Sequence, residues 1–165
     1  MTQDQLNGLL ARVIGQAKQL NIPISSRIYP WVSVNHRAKT RFGCCRRDGP
    51  DFIIEVSAFL LEAEAPAIMQ VLAHEVLHTC PGCYNHGPRW NAWAGQMNAA
   101  FGYAIRRTDE PSDLGLTDQR PVRWLVVCTG CGKQSPRMKR SRLVEYPQLY
   151  RCGHCGGRLE VHRVD

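Results

Sequence analysis

The sequence predicts an α+β fold in which helices pack on a short antiparallel sheet, followed by a small β-rich unit with four cysteines. Apolar residues recur at helical spacing in three segments, and β-leaning segments separated by turn residues fill positions 27–56. Two Cys-x2-Cys pairs lie near the C-terminal end. A chain of 165 residues fits one domain with a small appendage. We therefore predict a first domain at 1–107, a linker at 108–121 and the cysteine-containing unit at 122–165.

The first helix begins after Thr2, which is placed to form a capping box with Gln5. Leucines and other apolar residues then keep one helical face through about residue 20. We predict β-strands at 27–34, 39–45 and 51–56, a turn at 46–50 and a short helical turn at 57–61.

Two further helices follow the strands. Pro66 lies early in the second helix, where its missing N–H costs nothing, and Pro81-Gly82 is expected to end that helix. Gly87-Pro88 marks the start of the third helix. That helix has apolar residues at i, i+3, i+4 and i+7, namely Trp90, Trp93, Ala94 and Met97.

The second predicted helix contains an HExxH pattern, His74-Glu75-Val76-Leu77-His78. Histidines at i and i+4 share one helix face, so both imidazoles can reach one metal ion. Glu75 then lies close enough to take a proton from a metal-activated water. The alternative is a core helix with two hydrogen-bonded histidines, since a chance HExxH is common.

A hydrolytic zinc site needs three protein ligands and one open position. Residues 76–108 contain no Asp or Glu, so a glutamate ligand would require Asp109 or Glu110 to fold back. The extended pattern HExxHxxGxxH is also excluded, because its glycine and third histidine would fall on other residue types here. His86, between the two predicted helices, is the best candidate for the third ligand.

Cys80 and Cys83 form a Cys-x2-Cys pair in the turn before His86. Thiolates are good zinc ligands, so Cys83 replacing His86 is one interpretation, and a redox-sensitive loop over the site is another. We favour the third, in which two thiols order a tight turn.

Four cysteines at the C-terminal end have the spacing of a structural zinc site: Cys128, Cys131, Cys152 and Cys155. Paired Cys-x2-Cys turns, separated by the length that two strands need, are typical of a zinc ribbon. Two disulfides would require an oxidising compartment, and residues 1–20 contain no apolar leader segment. We therefore expect a cytoplasmic protein, nucleoid-associated if it binds DNA, with no membrane contact.

The formal net charge of +7 is concentrated near the ribbon, because residues 120–142 contain seven basic and no acidic side chains. Trp124 and Tyr150 offer stacking faces there. A basic ribbon with flanking aromatics is a candidate nucleic-acid surface, and a solvated face that maintains solubility is the alternative. The candidate contact residues are Arg123, Trp124, Lys133, Arg137, Lys139, Arg140 and Arg142.

The chain resembles the SprT-like family, which includes the Spartan-type DNA-dependent metalloproteases. The resemblance rests on the HExxH at 74–78, on His86-Gly87-Pro88-Arg89-Trp90, and on Asn35-His36-Arg37 and Gly43-Cys44-Cys45 upstream. The terminal ribbon is similar to that of bacterial or phage members. The resemblance implies a zincin-like fold, protein substrates and repair of DNA–protein crosslinks.

Together these patterns predict a monomeric zinc endopeptidase with one catalytic and one structural zinc. Its catalytic zinc is held by His74, His78 and His86, with Glu75 as general base for the attacking water. DNA with single-stranded features is the expected partner. The alternatives are a metallopeptidase without a nucleic-acid role and a non-enzymatic nucleic-acid-binding protein with a zinc ribbon.

Overall fold

The structure is a computed structural model that describes residues 1–117 and 121–164. The chain divides into two units, Met1–Thr117 and Asp118–Asp165. None of the helices in the described ranges is both long and apolar enough to cross a membrane. Arg120, which belongs to the basic segment, lies outside the described residues.

Helix α1 spans Gln3–Gln19 and begins with the predicted capping box. The Thr2 hydroxyl accepts the Gln5 N–H at 3.2 Å, and the Gln5 side-chain oxygen accepts the Thr2 N–H at 2.8 Å. These two bonds satisfy donors that the start of a helix leaves free. The buried face of α1 consists of Leu6, Leu10, Val13 and Ala17.

The first sheet contains β1 (Ile28–Asn35), β2 (Gly43–Asp48) and β3 (Asp51–Ser57) in the order β1-β3-β2. β2 and β3 form an antiparallel hairpin, but β1 pairs with β3 in parallel. The prediction of a purely antiparallel sheet is therefore wrong for one of the two pairings, although the α+β class is confirmed.

The composition of the strands explains this order. Every residue of β3 after Asp51 is buried, so β3 takes the central position. Pro30 in β1 lacks an N–H donor, and β2 carries Arg46 and Arg47, so both strands suit the edges of a sheet. The two arginines lie in the strand rather than in the predicted turn at 46–50, and the hairpin reverses after Asp48.

A 3₁₀ turn at Ala58–Glu62 leads into α2 (Ala65–Leu77), and α3 spans Pro88–Phe101. Pro66 lies in the first turn of α2, as predicted, but the helix ends at Leu77, before Pro81. Gly87 is the N-cap of α3, and Trp90, Ala94 and Met97 form its buried face. The core of the first unit lies between these helices, α1 and the inner face of the sheet.

The segment predicted as the start of a linker belongs to the first unit. Residues Pro111–Leu114 form a 3₁₀ turn, and Leu114 is 3% exposed within the core. Leu116 also packs against this core, and the polar residues around the two leucines gave the segment the composition of a linker.

The second unit contains β4 (Trp124–Cys128), β5 (Gln134–Arg137) and β6 (Leu159–Arg163) in the antiparallel order β5-β4-β6. A short helix, α4 (Arg142–Glu145), and a 3₁₀ turn precede the second cysteine pair. Only one strand therefore lies between the two pairs, where two were expected, and the third strand follows the second pair. The arrangement fits a zinc ribbon.

Candidate metal centre

The HExxH histidines lie one turn apart at the end of α2, and His86 precedes the N-cap of α3. The Nε2 atom of His86 lies 2.9 Å from that of His74 and 3.2 Å from that of His78. The Nε2 atoms of His74 and His78 are 3.3 Å apart. The structure thus brings together the three side chains that the sequence analysis selected.

These separations fit a metal ion held by three nitrogens. Tetrahedral zinc with Zn–N bonds of the usual length places its nitrogen ligands about 3.3 Å apart. Imidazole nitrogen is a preferred zinc donor, and three histidines leave the fourth position open. The donor set and the spacing are therefore consistent with zinc.

Trp90, in the first turn of α3, forms the floor of this site and is fully buried. Its ring centroid lies 4.7 Å from that of His74, 5.6 Å from that of His78 and 4.6 Å from that of His86. One indole therefore packs against all three imidazoles and limits their rotation. The sequence analysis placed Trp90 in the apolar stripe of α3 but gave it no part in the site.

Two backbone carbonyls orient the histidines of α2. The Nδ1 atom of His78 lies 2.7 Å from the Cys83 carbonyl, and that of His74 lies 3.1 Å from the Arg106 carbonyl. Because a carbonyl only accepts, each Nδ1 is the protonated donor and each Nε2 keeps its lone pair. Metal ligands commonly use such outer partners.

The surroundings of all three histidines favour the neutral imidazole. Burial, followed by the neighbouring His78 and His86, lowers the pKa of His74 to about 4. Burial likewise lowers the pKa of His78 and that of His86. Neutral imidazole is the form that binds a metal ion, so protonation does not compete with metal near neutral pH.

The Glu75 side chain extends from α2 towards Gly43 on strand β2, and the residue is 7% exposed. Burial raises the pKa of its carboxyl group to about 8, against the opposing effects of the Cys45 backbone N–H and Arg41. A bound divalent cation would lower this pKa. A carboxylate whose pKa lies near neutrality is suited to accept and return a proton.

Gly43 allows Glu75 to occupy this position. A Cβ atom on Gly43 would lie 2.7 Å from Glu75 Oε1 and 2.9 Å from a methyl carbon of Val71. Both separations are shorter than real carbon contacts, so any larger residue would displace the carboxylate or the helix. β2 and α2 can therefore approach this closely only at a glycine.

An ion pair beside Glu75 gives a role to the Asn-x-Arg segment. Glu55 accepts hydrogen bonds from Arg41 at 2.6 Å and from the Asn35 side chain at 2.8 Å. The Asn35 oxygen accepts the N–H of Arg37 at 2.8 Å, which holds the chain after β1 in a turn. The network fixes Arg41 near Glu75.

Cys80 and Cys83 are both buried, and their thiols are hydrogen-bonded to each other. Burial raises the pKa of the Cys80 thiol to about 12. Within residues 1–117 and 121–164, the group that could hold a metal at the histidines does not include Cys83. The pair orders the turn, and Cys83 acts on the site through its carbonyl.

The four ribbon cysteines converge in the second unit, with all four sulfur atoms within 4.8 Å of one another. The Sγ–Sγ distances are 3.4 Å between Cys128 and Cys155 and 3.7 Å between Cys131 and Cys152. Tetrahedral zinc–thiolate geometry requires about 3.8 Å. The backbone N–H groups of His154 and Cys155 lower the pKa of Cys152 to about 6. Against the opposing Gly157 N–H, the Cys131 and Cys128 thiols raise the pKa of Cys155 to about 12.

Two arginines lie opposite Trp124, the first residue of β4 and one of the candidate nucleic-acid residues. Its cross-strand partners are Arg137 on β5 and Arg163 on β6. The Arg163 guanidinium lies 5.8 Å from the centre of the Trp124 ring. The sequence analysis missed Arg163, because it lies outside the basic run and reaches Trp124 only through strand pairing.

The other candidates occupy the ends of the same sheet and the turn that follows it. Arg140 is paired with Glu145 at 3.1 Å, so the negative charge of Glu145 partly offsets its positive charge. The remaining candidates are exposed, namely Arg123, Lys133, Lys139 and Arg142.

The comparisons with known proteins agree with this site. The model of the SprT-like family matches residues 17–109, more than half of the chain. No curated protein matches the chain significantly. The matched region contains Glu75, the three histidines and Trp90, and membership of this family suggests a metalloprotease-type domain. The chain therefore belongs to the SprT-like family.

Proposed function

We propose that this protein is a zinc-dependent endopeptidase that cleaves proteins bound or crosslinked to DNA. The observation that carries the proposal is the convergence of three imidazole nitrogens beside a buried carboxyl group, that of Glu75. His74, His78 and His86 would hold the catalytic zinc. A zinc ion there would supply Lewis-acid chemistry to a peptide carbonyl and to the attacking water.

Glu75 is the proposed general base. Its carboxylate would accept the proton of the attacking water and deliver it to the nitrogen of the leaving amine. The Cys45 N–H donates a hydrogen bond to the carboxylate, and Gly43, which has no side chain, leaves room for it beside β2. A purely structural metal site has little use for a buried carboxylate that is not a ligand.

Strand β2 is the proposed substrate-binding edge. It lies at the edge of its sheet and borders Glu75 through Gly43 and Cys45. A peptide in extended conformation would pair with this edge by β-augmentation and so present its backbone next to Glu75. Arg47 donates a hydrogen bond to the Tyr84 hydroxyl and stacks on its ring at 4.8 Å, which ties the end of β2 to the loop before His86.

The charge of the chain supports the DNA part of the proposal. Residues 118–165 contain ten of the 21 Lys and Arg and four of the 14 Asp and Glu, so this segment carries +6 of the net +7. Trp124 lies between two arginines on one sheet. Stacking on an indole combined with phosphate contacts is a common way of binding single strands.

Zinc content tests the ligand assignment. We expect two zinc ions per parent chain, one per His86→Ala chain, and two per Cys83→Ser chain, because the Cys83 thiol is turned towards Cys80. Elemental analysis of the purified proteins measures this directly. Loss of the histidine-bound zinc in Cys83→Ser, with its retention in His86→Ala, would contradict the assignment.

Glu75→Gln tests the chemistry. The variant should keep both zinc ions but lose at least about 10²-fold in casein or self-cleavage, because it removes the proton acceptor. Glu64→Gln, an exposed change at the N-cap of the same helix, is the control and should behave like the parent. Equal turnover in Glu75→Gln and parent would refute the base assignment.

The same assay with and without single-stranded DNA separates the candidate functions. Cleavage by the parent only in the presence of DNA supports the proposal. Cleavage regardless of DNA indicates a metallopeptidase without a nucleic-acid role. No cleavage under either condition indicates a non-enzymatic protein.

Gly43→Ala tests the packing of β2 against Glu75. We expect zinc content to be unchanged and kcat to fall about 10²-fold, because a displacement near 1 Å at a catalytic group costs that much. Gly8→Ala is the matched control, since its Cβ would contact nothing within 4 Å. Activity within about twofold of the parent in Gly43→Ala would show that the carboxylate tolerates the displacement.

DNA binding is measured by the anisotropy of a labelled single-stranded oligonucleotide over a range of salt concentrations. Affinity should fall steeply with salt, and Trp124→Ala should remove about 1–3 kcal/mol if one base stacks on the indole. Arg163→Ala should lower the salt slope by about one. Lys18→Ala, on the exposed face of α1, is the control. Absence of binding at low salt would rule out the DNA role.

A further inference from the structure

The two histidines of α2 receive their carbonyl partners from very different parts of the chain. His78 is bonded to the carbonyl of Cys83, five residues later in the following turn. His74 is bonded to the carbonyl of Arg106, 32 residues later and beyond α3. A partner so distant in sequence stays in place only if other contacts hold its segment against α2.

Gln70 makes two of these contacts. It lies on α2 one turn before His74, so both side chains project from the same helix face. Its side-chain oxygen accepts the N–H of Ala104 at 3.1 Å, and its side-chain nitrogen donates to Asp109 at 3.2 Å. Ala104 and Asp109 flank Arg106, so one amide holds the segment on both sides of the carbonyl. Gln70 is 9% exposed.

Asp109 and Asn98 complete the attachment. The side chain of Asp109 is 6% exposed and also pairs with the Arg106 guanidinium at 3.4 Å. Asn98, on α3, donates to the Ile105 carbonyl at 3.0 Å and accepts the Ile105 N–H at 2.8 Å. Asp109 does fold back to α2, but it bonds to Gln70, and the histidine group among the described residues does not include it.

We propose that Gln70 and Asp109 are positioning residues of the metal site, which hold the Arg106 carbonyl against the Nδ1–H of His74. This contact fixes the tautomer of His74 and directs its Nε2 lone pair at the other two histidines. The inference rests on the proposed metal site and is independent of peptidase activity.

The physical consequence is a change in metal affinity. Without a fixed acceptor at Nδ1, the imidazole also populates the tautomer that carries its proton on Nε2, and that nitrogen then has no lone pair for a metal ion. Removal of such an outer partner typically costs 10–100-fold in metal affinity. The four-cysteine site, which lies in the other unit of the chain, should be unaffected and serves as an internal reference.

The test compares Gln70→Met, which keeps the size of the side chain but removes both hydrogen bonds, with Asn7→Leu. Asn7 accepts the N–H of Val32 at 2.9 Å, so the control also loses a side-chain bond to a distant backbone, but on α1. Zinc affinity at the histidines is measured by competition with a chromophoric chelator. The tautomer of His74 is read in the zinc-free protein by long-range proton–nitrogen NMR.

We expect Gln70→Met to bind zinc at the histidines at least about tenfold more weakly than Asn7→Leu. We also expect His74 to be in the Nδ1–H tautomer in Asn7→Leu and in a mixture of tautomers in Gln70→Met. Absence of either effect overturns the proposal. If the parent bound no zinc through its histidines, the proposed function would fail, and the tautomer measurement alone would decide on Gln70.

Two changes at Asp109 keep the proposal testable if Gln70→Met does not fold. Asp109→Asn retains an oxygen that accepts from Gln70, so its zinc affinity should stay near that of the parent. Asp109→Ala removes this acceptor and should weaken zinc binding, though less than Gln70→Met, because the bond from the Ala104 N–H to Gln70 remains. Equal zinc affinity in the two Asp109 variants overturns the proposal.

Discussion

The packing of three imidazoles on one buried indole is the constraint on which the site depends. The Nε2 atoms approach one another to between 2.9 and 3.3 Å, and Trp90 contacts each of the three rings from below. This requires the end of α2 and the start of α3 to keep a fixed separation. The buried Cys80–Cys83 turn and the Gly87 N-cap keep this separation, because they lie in the ten residues that connect α2 to α3.

Patterns of residue type predicted the three clustered histidines but not the backbone carbonyls that orient two of their rings. The spacing of His74 and His78 is visible in any helix, and His86 follows from excluding other patterns. The carbonyls of Cys83 and Arg106 left no signal, because every residue has a carbonyl. For the same reason the role of Gln70 was invisible: its partners are a backbone N–H and an aspartate in a segment that looked like a linker.

For the fold too, local features could be predicted from the sequence, but strand pairing could not. Helical periodicity and the capping box at Thr2 located α1 well, since both are local properties of the chain. The parallel pairing of β1 with β3 was not predictable, because it depends on which strand occupies the centre of the sheet. The buried run from Phe52 to Ser57 carried that information, but three consecutive β-leaning segments suggested a simple antiparallel arrangement.

The two units are stabilised by different physics. The first has an extended apolar core, whereas among residues 121–164 the buried apolar side chains are Val126 and Val144 together with two of the metal-binding cysteines. A unit of this size with so few buried apolar groups cannot offset its conformational entropy by burial alone. Because the four sulfurs converge at distances suited to one ion, metal binding and folding of the second unit are best treated as a single equilibrium. In the first unit the histidines are held by the apolar core and by the ring contacts with Trp90. Loss of the proposed catalytic zinc should therefore leave the first unit folded, whereas loss of an ion from the four cysteines should unfold the second.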